Sequence, residues 1–166
     1  MCEWEGPLPR ASATLPDANA NGSADLGLLT VNAGNILVTV KDGGTGAAIQ
    51  SLDFGKSGTG DRAATGLAYV TDMNGNGAIE IAVGVPKGDL YDTKEIRIRD
   101  LKSKKLLKTI RVGAATVRIT SMSTLPDMNG NGVSELSVMV ANINDGTINS
   151  LIYDPKTGQK LKTIGF

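Results

Sequence analysis

A chain of 166 residues suffices for one hydrophobic core, or for three small units that cannot stand alone. Seventeen Lys and Arg against seventeen Asp and Glu leave no net charge, which argues against nucleic acid or an anionic lipid surface as partner. Histidine is absent and Cys2 is the only cysteine, which excludes Ser-His-Asp catalysis, most zinc chemistry and an internal disulfide. No apolar run approaches the roughly 20 residues needed to cross a bilayer.

Residues 1–10 carry Pro7 and Pro9 without periodic patterning and are expected to form an irregular lead-in. The start, Met1-Cys-Glu-Trp-Glu-Gly-Pro7, shows no basic stretch followed by an apolar one, so no export signal is expected there. From residue 11 the chain repeats itself. The stretches Asp17-Ala-Asn-Ala-Asn-Gly-Ser-Ala-Asp25, Asp72-Met-Asn-Gly-Asn-Gly-Ala-Ile-Glu80 and Asp127-Met-Asn-Gly-Asn-Gly-Val-Ser-Glu135 begin 55 residues apart. A fixed period of that length marks a repeat architecture, and the units are 11–60, 61–114 and 115–166.

Each unit is expected to hold four strands. The first precedes the loop (11–15, 64–70, 119–125), with Ala13, Ala68 and Ser123 as small residues suited to close backbone approach. The second follows it (24–31, 79–85, 134–140), with Leu26, Ile81 and Leu136 on one face and Gly27, Ala82 and Ser137 on the other, as in a sheet covered on both sides. The third and fourth form hairpins: 36–41 with 48–54, 95–99 with 106–112, and 150–153 with 160–166. Their connections, Asp42-Gly-Gly-Thr-Gly46, Asp100-Leu-Lys-Ser-Lys104 and Asp154-Pro-Lys-Thr-Gly158, are rich in turn formers. A helix over 90–110 competes on its Lys and Leu content, but the alternation Glu95-Ile-Arg-Ile-Arg99 decides for strands.

Four-stranded units at this period match the blades of a β-propeller. The fold expected is all-β, a partial propeller of three four-stranded antiparallel blades. Rings typically need 4–8 blades, so closure is expected either through a homodimer with six blades or through further blades of a longer chain. The segment 4–15, which looks like the end of a connection between blades, suits the second route.

Within each loop, oxygen-bearing side chains stand at positions 1, 3, 5 and 9: Asp17, Asn19, Asn21 and Asp25; Asp72, Asn74, Asn76 and Glu80; Asp127, Asn129, Asn131 and Glu135. Position 7 varies (Ser23, Ala78, Val133), as expected where only the backbone carbonyl is used, and Gly at position 6 allows a sharp bend. Hard oxygen donors on alternate residues of a tight turn suit Ca²⁺, and two carboxylates per loop imply weak binding, roughly 10⁻⁴ to 10⁻³ M. The same residues also build metal-free turns through side-chain bonds to their own backbone. Loop 1 departs from the others, with Ala20 at position 4 and the shorter acid at position 9.

The stretches 71–86 and 125–139, together with the divergent first copy, resemble the FG-GAP and VCBS-type repeats of integrin-like β-propellers. The resemblance spans residues 11–166 and implies Ca²⁺ in the turn between a blade's first two strands, held by the fifteen loop positions named above. This chain departs from the pattern in having Asn at positions 3 and 5 and only one Phe-Gly pair, Phe54-Gly55. Such propellers serve as adhesion, ligand-binding and spacer modules and as appendages of enzymes.

Two further features have plain explanations. The run from Lys94 to Arg111 holds eight Lys or Arg among eighteen residues, as a solvated outer hairpin does. Asn21-Gly-Ser23 matches a glycan acceptor, but Asn21 is already engaged as a ligand or turn residue. Acids that come in triplicate do not form the singular constellation of a catalytic site. The function expected is therefore a non-enzymatic, calcium-stabilised interaction or adhesion scaffold with a protein or glycan ligand, placed outside the cell, where calcium is millimolar. The second reading is an accessory or catalytic propeller of a polysaccharide-acting enzyme.

Overall fold

The structure, a computed structural model, describes residues 8–56, 64–87, 93–113 and 117–166. Twelve strands run in chain order: β1 (Pro9–Leu15), β2 (Asp25–Asn32), β3 (Asn35–Lys41), β4 (Ala48–Lys56), β5 (Gly66–Val70), β6 (Glu80–Lys87), β7 (Thr93–Asp100), β8 (Leu106–Val112), β9 (Val117–Leu125), β10 (Glu135–Asn142), β11 (Ile148–Tyr153) and β12 (Lys160–Gly165). They form three antiparallel four-stranded sheets, β1-β2-β3-β4, β5-β6-β7-β8 and β9-β10-β11-β12. Among the described residues there is no helix.

The helix considered over 90–110 does not form. Residues 93–100 and 106–112 are β7 and β8, and the remainder of that window up to residue 92 lies outside the described residues. The lead-in expected over 1–10 is shorter at its C-terminal end, because β1 begins at Pro9, which pairs with Thr30. A proline is tolerated there, at the first residue of a strand on the sheet edge, where no ladder N–H is needed.

The sheets stack face to face, with sheet 2 in the middle and β5 flanked by β1 and β9. One apolar cluster joins sheets 1 and 2 through Leu29, Val38, Leu52 and Phe54 against Leu67, Ile81, Val83 and Val85. A second joins sheets 2 and 3 through Ala82, Ile96, Ile98, Ile110 and Val112 against Ile119, Met122, Leu136, Val138 and Val140. Sheet 2 is thus covered on both faces, as the near-continuous apolar strand Glu80–Lys87 requires. Polar ties span each junction: the Arg97 guanidinium donates to the Phe54 carbonyl at 2.6 Å, and the Thr124 hydroxyl donates to the Tyr69 carbonyl at 2.7 Å.

The outer strands are equivalent in register, each with an irregularity one step from the turn: between Val40 and Lys41, between Ile98 and Arg99, and between Ile152 and Tyr153. Gln50, Lys108 and Lys162 then occupy the same place. The first two reach the next sheet's turn, Gln50 donating its amide to the Leu101 carbonyl and Lys108 its ammonium to that of Lys156.

The outward faces of sheets 1 and 3 mix apolar and polar side chains. Sheet 1 shows Leu26 and Leu37 at 37% exposure beside Thr30 and Thr39. Sheet 3 shows Ser121, Ser123 and Ser137 among Met139 and Ile164. Ser123, expected to suit close backbone approach, is exposed on this outer side, whereas Ala68 is buried between sheets 2 and 3.

Truncation should separate covered from uncovered positions. Ile96→Ala, fully buried between sheets 2 and 3, is expected to cost about 2–5 kcal/mol in denaturant unfolding. Leu106→Ala, on the rim of sheet 2, is expected to cost less than about 1 kcal/mol.

Candidate metal centre

The turns β1–β2 and β3–β4 lie at the same end of sheet 1, and the same holds for their counterparts in sheets 2 and 3. The nine-residue loops are built alike. The position 1 carboxylate caps the loop's own backbone: Asp127 accepts from the N–H groups of Gly130 (2.7 Å), Asn131 (3.2 Å) and Gly132 (2.8 Å). Asp72 accepts likewise from Gly75, Asn76 and Gly77, and Asp17 from Asn21 and Gly22. These backbone bonds, led by that from Gly22, Gly77 or Gly132, hold all three carboxyls below the usual carboxylate range.

Position 3 accepts from the N–H of position 5, at 3.1 Å for Asn19, 3.1 Å for Asn74 and 3.0 Å for Asn129. Position 5 accepts from position 7, at 2.8 Å for Asn21 to Ser23, 2.9 Å for Asn76 to Ala78 and 2.8 Å for Asn131 to Val133. Position 7 is not free to vary in loop 3, since the Val133 side chain is buried in the cluster between sheets 2 and 3.

The position 9 acids open β2, β6 and β10 and are buried, Glu80 and Glu135 completely. Each accepts the N–H of position 2: Asp25 from Ala18 (2.7 Å), Glu80 from Met73 (3.0 Å) and Glu135 from Met128 (2.5 Å).

A third acid joins each loop, and the loop motif does not contain it. Asp42, Asp100 and Asp154 open the β3–β4, β7–β8 and β11–β12 turns and are buried. Asp100 accepts the side-chain amides of Asn74 (3.1 Å) and Asn76 (2.7 Å). Asp42 accepts those of Asn19 (2.6 Å) and Asn21, and Asp154 that of Asn131. Burial pushes the Asp100 and Asp154 carboxyls up, but hydrogen bonds led by Ser103 and Thr157 outweigh it and leave both below the ordinary value. The available signal was that Asp is the one residue identical in all three hairpin connections, whereas the turn chemistry of its neighbours explained it equally well.

Three acids and two Asn per corner are a hard, oxygen-rich set. Among the described residues no three His, Cys, Asp or Glu side chains form a metal cluster by themselves, so a cation there must also draw on Asn oxygens and backbone carbonyls, as Ca²⁺ does. Loop 3 fits such an ion best, because Glu135 Oε1 is buried and has no hydrogen-bond partner. The counterpart oxygens are occupied: Glu80 Oε1 by the Asn74 amide at 3.2 Å and Asp25 Oδ1 by the Gly43 N–H at 3.3 Å. Gly43 is required for that approach, since a Cβ there would lie 1.9 Å from the Ala24 carbonyl oxygen. Two lysines brace the loops from outside: Lys102 donates to the Asn76 carbonyl at 3.3 Å and Lys156 to the Asn131 carbonyl at 3.0 Å.

No family model and no curated protein matches the chain, so the likeness to FG-GAP and VCBS-type repeats rests on the loop residues alone. Among solved structures, a chain of "Crystal structure of an active polycomb repressive complex 2 in the basal state" is 13% identical over 91% of this chain and 31% of its own, with a TM-score of 0.50. A chain of Kuenenia stuttgartiensis hydrazine synthase is 14% identical over 98% of this chain and 50% of its own, with a TM-score of 0.48. The first likeness shows a shared fold and nothing more. The chain spans half the length of the hydrazine synthase chain and under a third of the other.

Two measurements check the loop geometry. Ala20 holds φ 58° where loops 2 and 3 place Gly75 and Gly130, so Ala20→Gly is expected to raise stability by about 0.5–1 kcal/mol. Burial, reinforced by the charges of Asp72 and Asp100 and opposed by the Met73 N–H, pushes Glu80 up from 4.5 to about 7. The folded state therefore holds a proton over that interval that the unfolded state has lost, and stability falls as pH rises from 4.5 to 7. With no histidine in the chain, chelated protein is expected to lose roughly 3–6 °C in Tm across that window, and Glu80→Gln to flatten the slope.

Proposed function

We propose that the chain is a non-enzymatic, calcium-stabilised interaction scaffold whose three sheets are blades of a β-propeller. One observation carries this reading: the same corner of acids and amides is built three times at one end of the stack. A catalytic site needs a singular constellation, whereas a structural ion suits a unit that is duplicated whole. Calcium would be held by the position 1 and 9 acids, the Asn side chains at positions 3 and 5 and the position 7 carbonyl, with Asp42, Asp100 and Asp154 closing the corner. Its role would be to neutralise carboxylates that fold next to one another and to join the inner loop to the outer hairpin.

The ring is completed by a second copy, blade 3 of one chain against blade 1 of the other, or by further blades of a longer chain. Supporting this, Phe54 and Val112 are buried at 1% exposure at the outer end of their blades, and Ile164, equivalent to the buried Leu52 and Ile110, is 39% exposed. Weak calcium sites work where the ion is millimolar, which places the module outside the cell. A protein or glycan ligand suits such a scaffold.

Millimolar Ca²⁺ is expected to raise the Tm of the chain by about 5 °C or more, a value set by the affinity through mass action, and chelator is expected to reverse it. Asp127→Ala should remove the share of the increment that loop 3 supplies. Identical melting in calcium and in chelator would leave the loops as metal-free turns. Light scattering after size exclusion should give twice the chain mass if a second copy closes the ring, and a dilute monomer would rule that route out.

A further inference from the structure

The three corners share a plan but not a state of completion. Resting on the calcium reading above, we propose that they are unequal and that the third, formed by loop 3 with Asp154, is the cation site of highest affinity, while the position 9 acids of the first and second are already matched by the protein's own donors. The distinction starts from single atoms. In corner 1 both oxygens of Asp25 are occupied, by the N–H groups of Ala18 and Gly43. In corner 2 both oxygens of Glu80 are occupied, by the Met73 N–H and the Asn74 amide. In corner 3 only one oxygen of Glu135 is matched, by Met128, and the other is buried without a partner.

A buried carboxylate oxygen with no donor is costly unless a cation takes that place. Lys156, which braces loop 3, donates to the Asn131 carbonyl, and Glu135 Oε1 has no hydrogen-bond partner.

The rigidity of the loop points the same way. Calcium affinity rises when ligands are held in place before the ion arrives. Loop 3 is anchored to sheet 2 by a reciprocal pair, Ser134 N–H to the Thr71 hydroxyl at 2.8 Å and Thr71 N–H to the Ser134 hydroxyl at 3.0 Å. Val133, buried in the cluster between sheets 2 and 3, holds the same loop. Loop 1 has neither tie: Ser23 is half-exposed, and Ala20 takes the left-handed position that Gly130 fills in loop 3. The class of ligand is a hard divalent cation with the coordination of Ca²⁺, and Mg²⁺, which demands a near-ideal octahedron, should bind more weakly.

The test is equilibrium dialysis of the full chain against calcium alone, run beside an amide NMR titration. One ion per chain is expected at the lowest saturating concentration, with the backbone signals of Met128 to Ser134 shifting first. Glu135→Gln is expected to weaken that first ion about 10-fold or more through the lost charge, and Glu80→Gln and Asp25→Asn to change it less than about 3-fold. Should Glu135→Gln fail to fold, the order of the amide shifts in the unmodified chain decides the matter. Two or three ions of equal affinity, or first shifts in loop 1 or loop 2, would overturn the inequality while leaving a calcium scaffold intact. No binding and no shifts at 10 mM would remove the calcium reading itself, and this inference with it.

Discussion

A carboxylate buried at the head of each sheet's second strand is the constraint around which one end of this molecule is built. Asp25, Glu80 and Glu135 sit where the chain leaves a tight loop and enters the stack, at 2%, 0% and 0% exposure. Charge so placed must be matched by donors or by a cation. The loop turns its second N–H inward to one oxygen, and an aspartate of the neighbouring turn receives the side-chain amide of position 5, joined in the first two loops by that of position 3. The inner and outer halves of each sheet are joined at this corner by polar bonds, and at the sheet centre by apolar contact.

The apolar part follows from alternation. On β6 the small Ala82 and Gly84 face sheet 3 while the large Ile81, Val83 and Val85 face sheet 1, and Ile96 and Ile110 from the outer strands fill the space beside Ala82. The result is a one-directional stack in which the middle sheet is buried twice. The third sheet keeps this polarity, but its outward side is populated by serines, which makes it more tolerant of water than the inward faces.

Much of this was legible from the residues. The period, the four strands per unit and the antiparallel order followed from equivalent alternating runs, and Glu95-Ile-Arg-Ile-Arg99 decided correctly between strand and helix where composition alone was ambiguous. Strand ends were less accessible, because a proline such as Pro9 marks irregular chain and strand edges alike. The oxygen-bearing side chains of the loop were visible at positions 1, 3, 5 and 9 because the pattern lies within nine residues. The third acid was not, since Asp42, Asp100 and Asp154 are more than twenty residues downstream and only hairpin register brings them to the loop. Nor could alternation tell that the variable position 7 is a core residue at Val133 and a half-exposed one at Ser23.

The irregularity in the outer hairpin has a mechanical meaning. It falls at the same step in all three sheets, between Val40 and Lys41, between Ile98 and Arg99, and between Ile152 and Tyr153, and it sets how the strand approaches the turn where the corner aspartate sits. A kink at the same step of every sheet brings Asp42, Asp100 and Asp154 to equivalent places beside the loops. The three corners are thus set in one frame, and Ala20, Gly43 and the orphaned oxygen of Glu135 are departures within it.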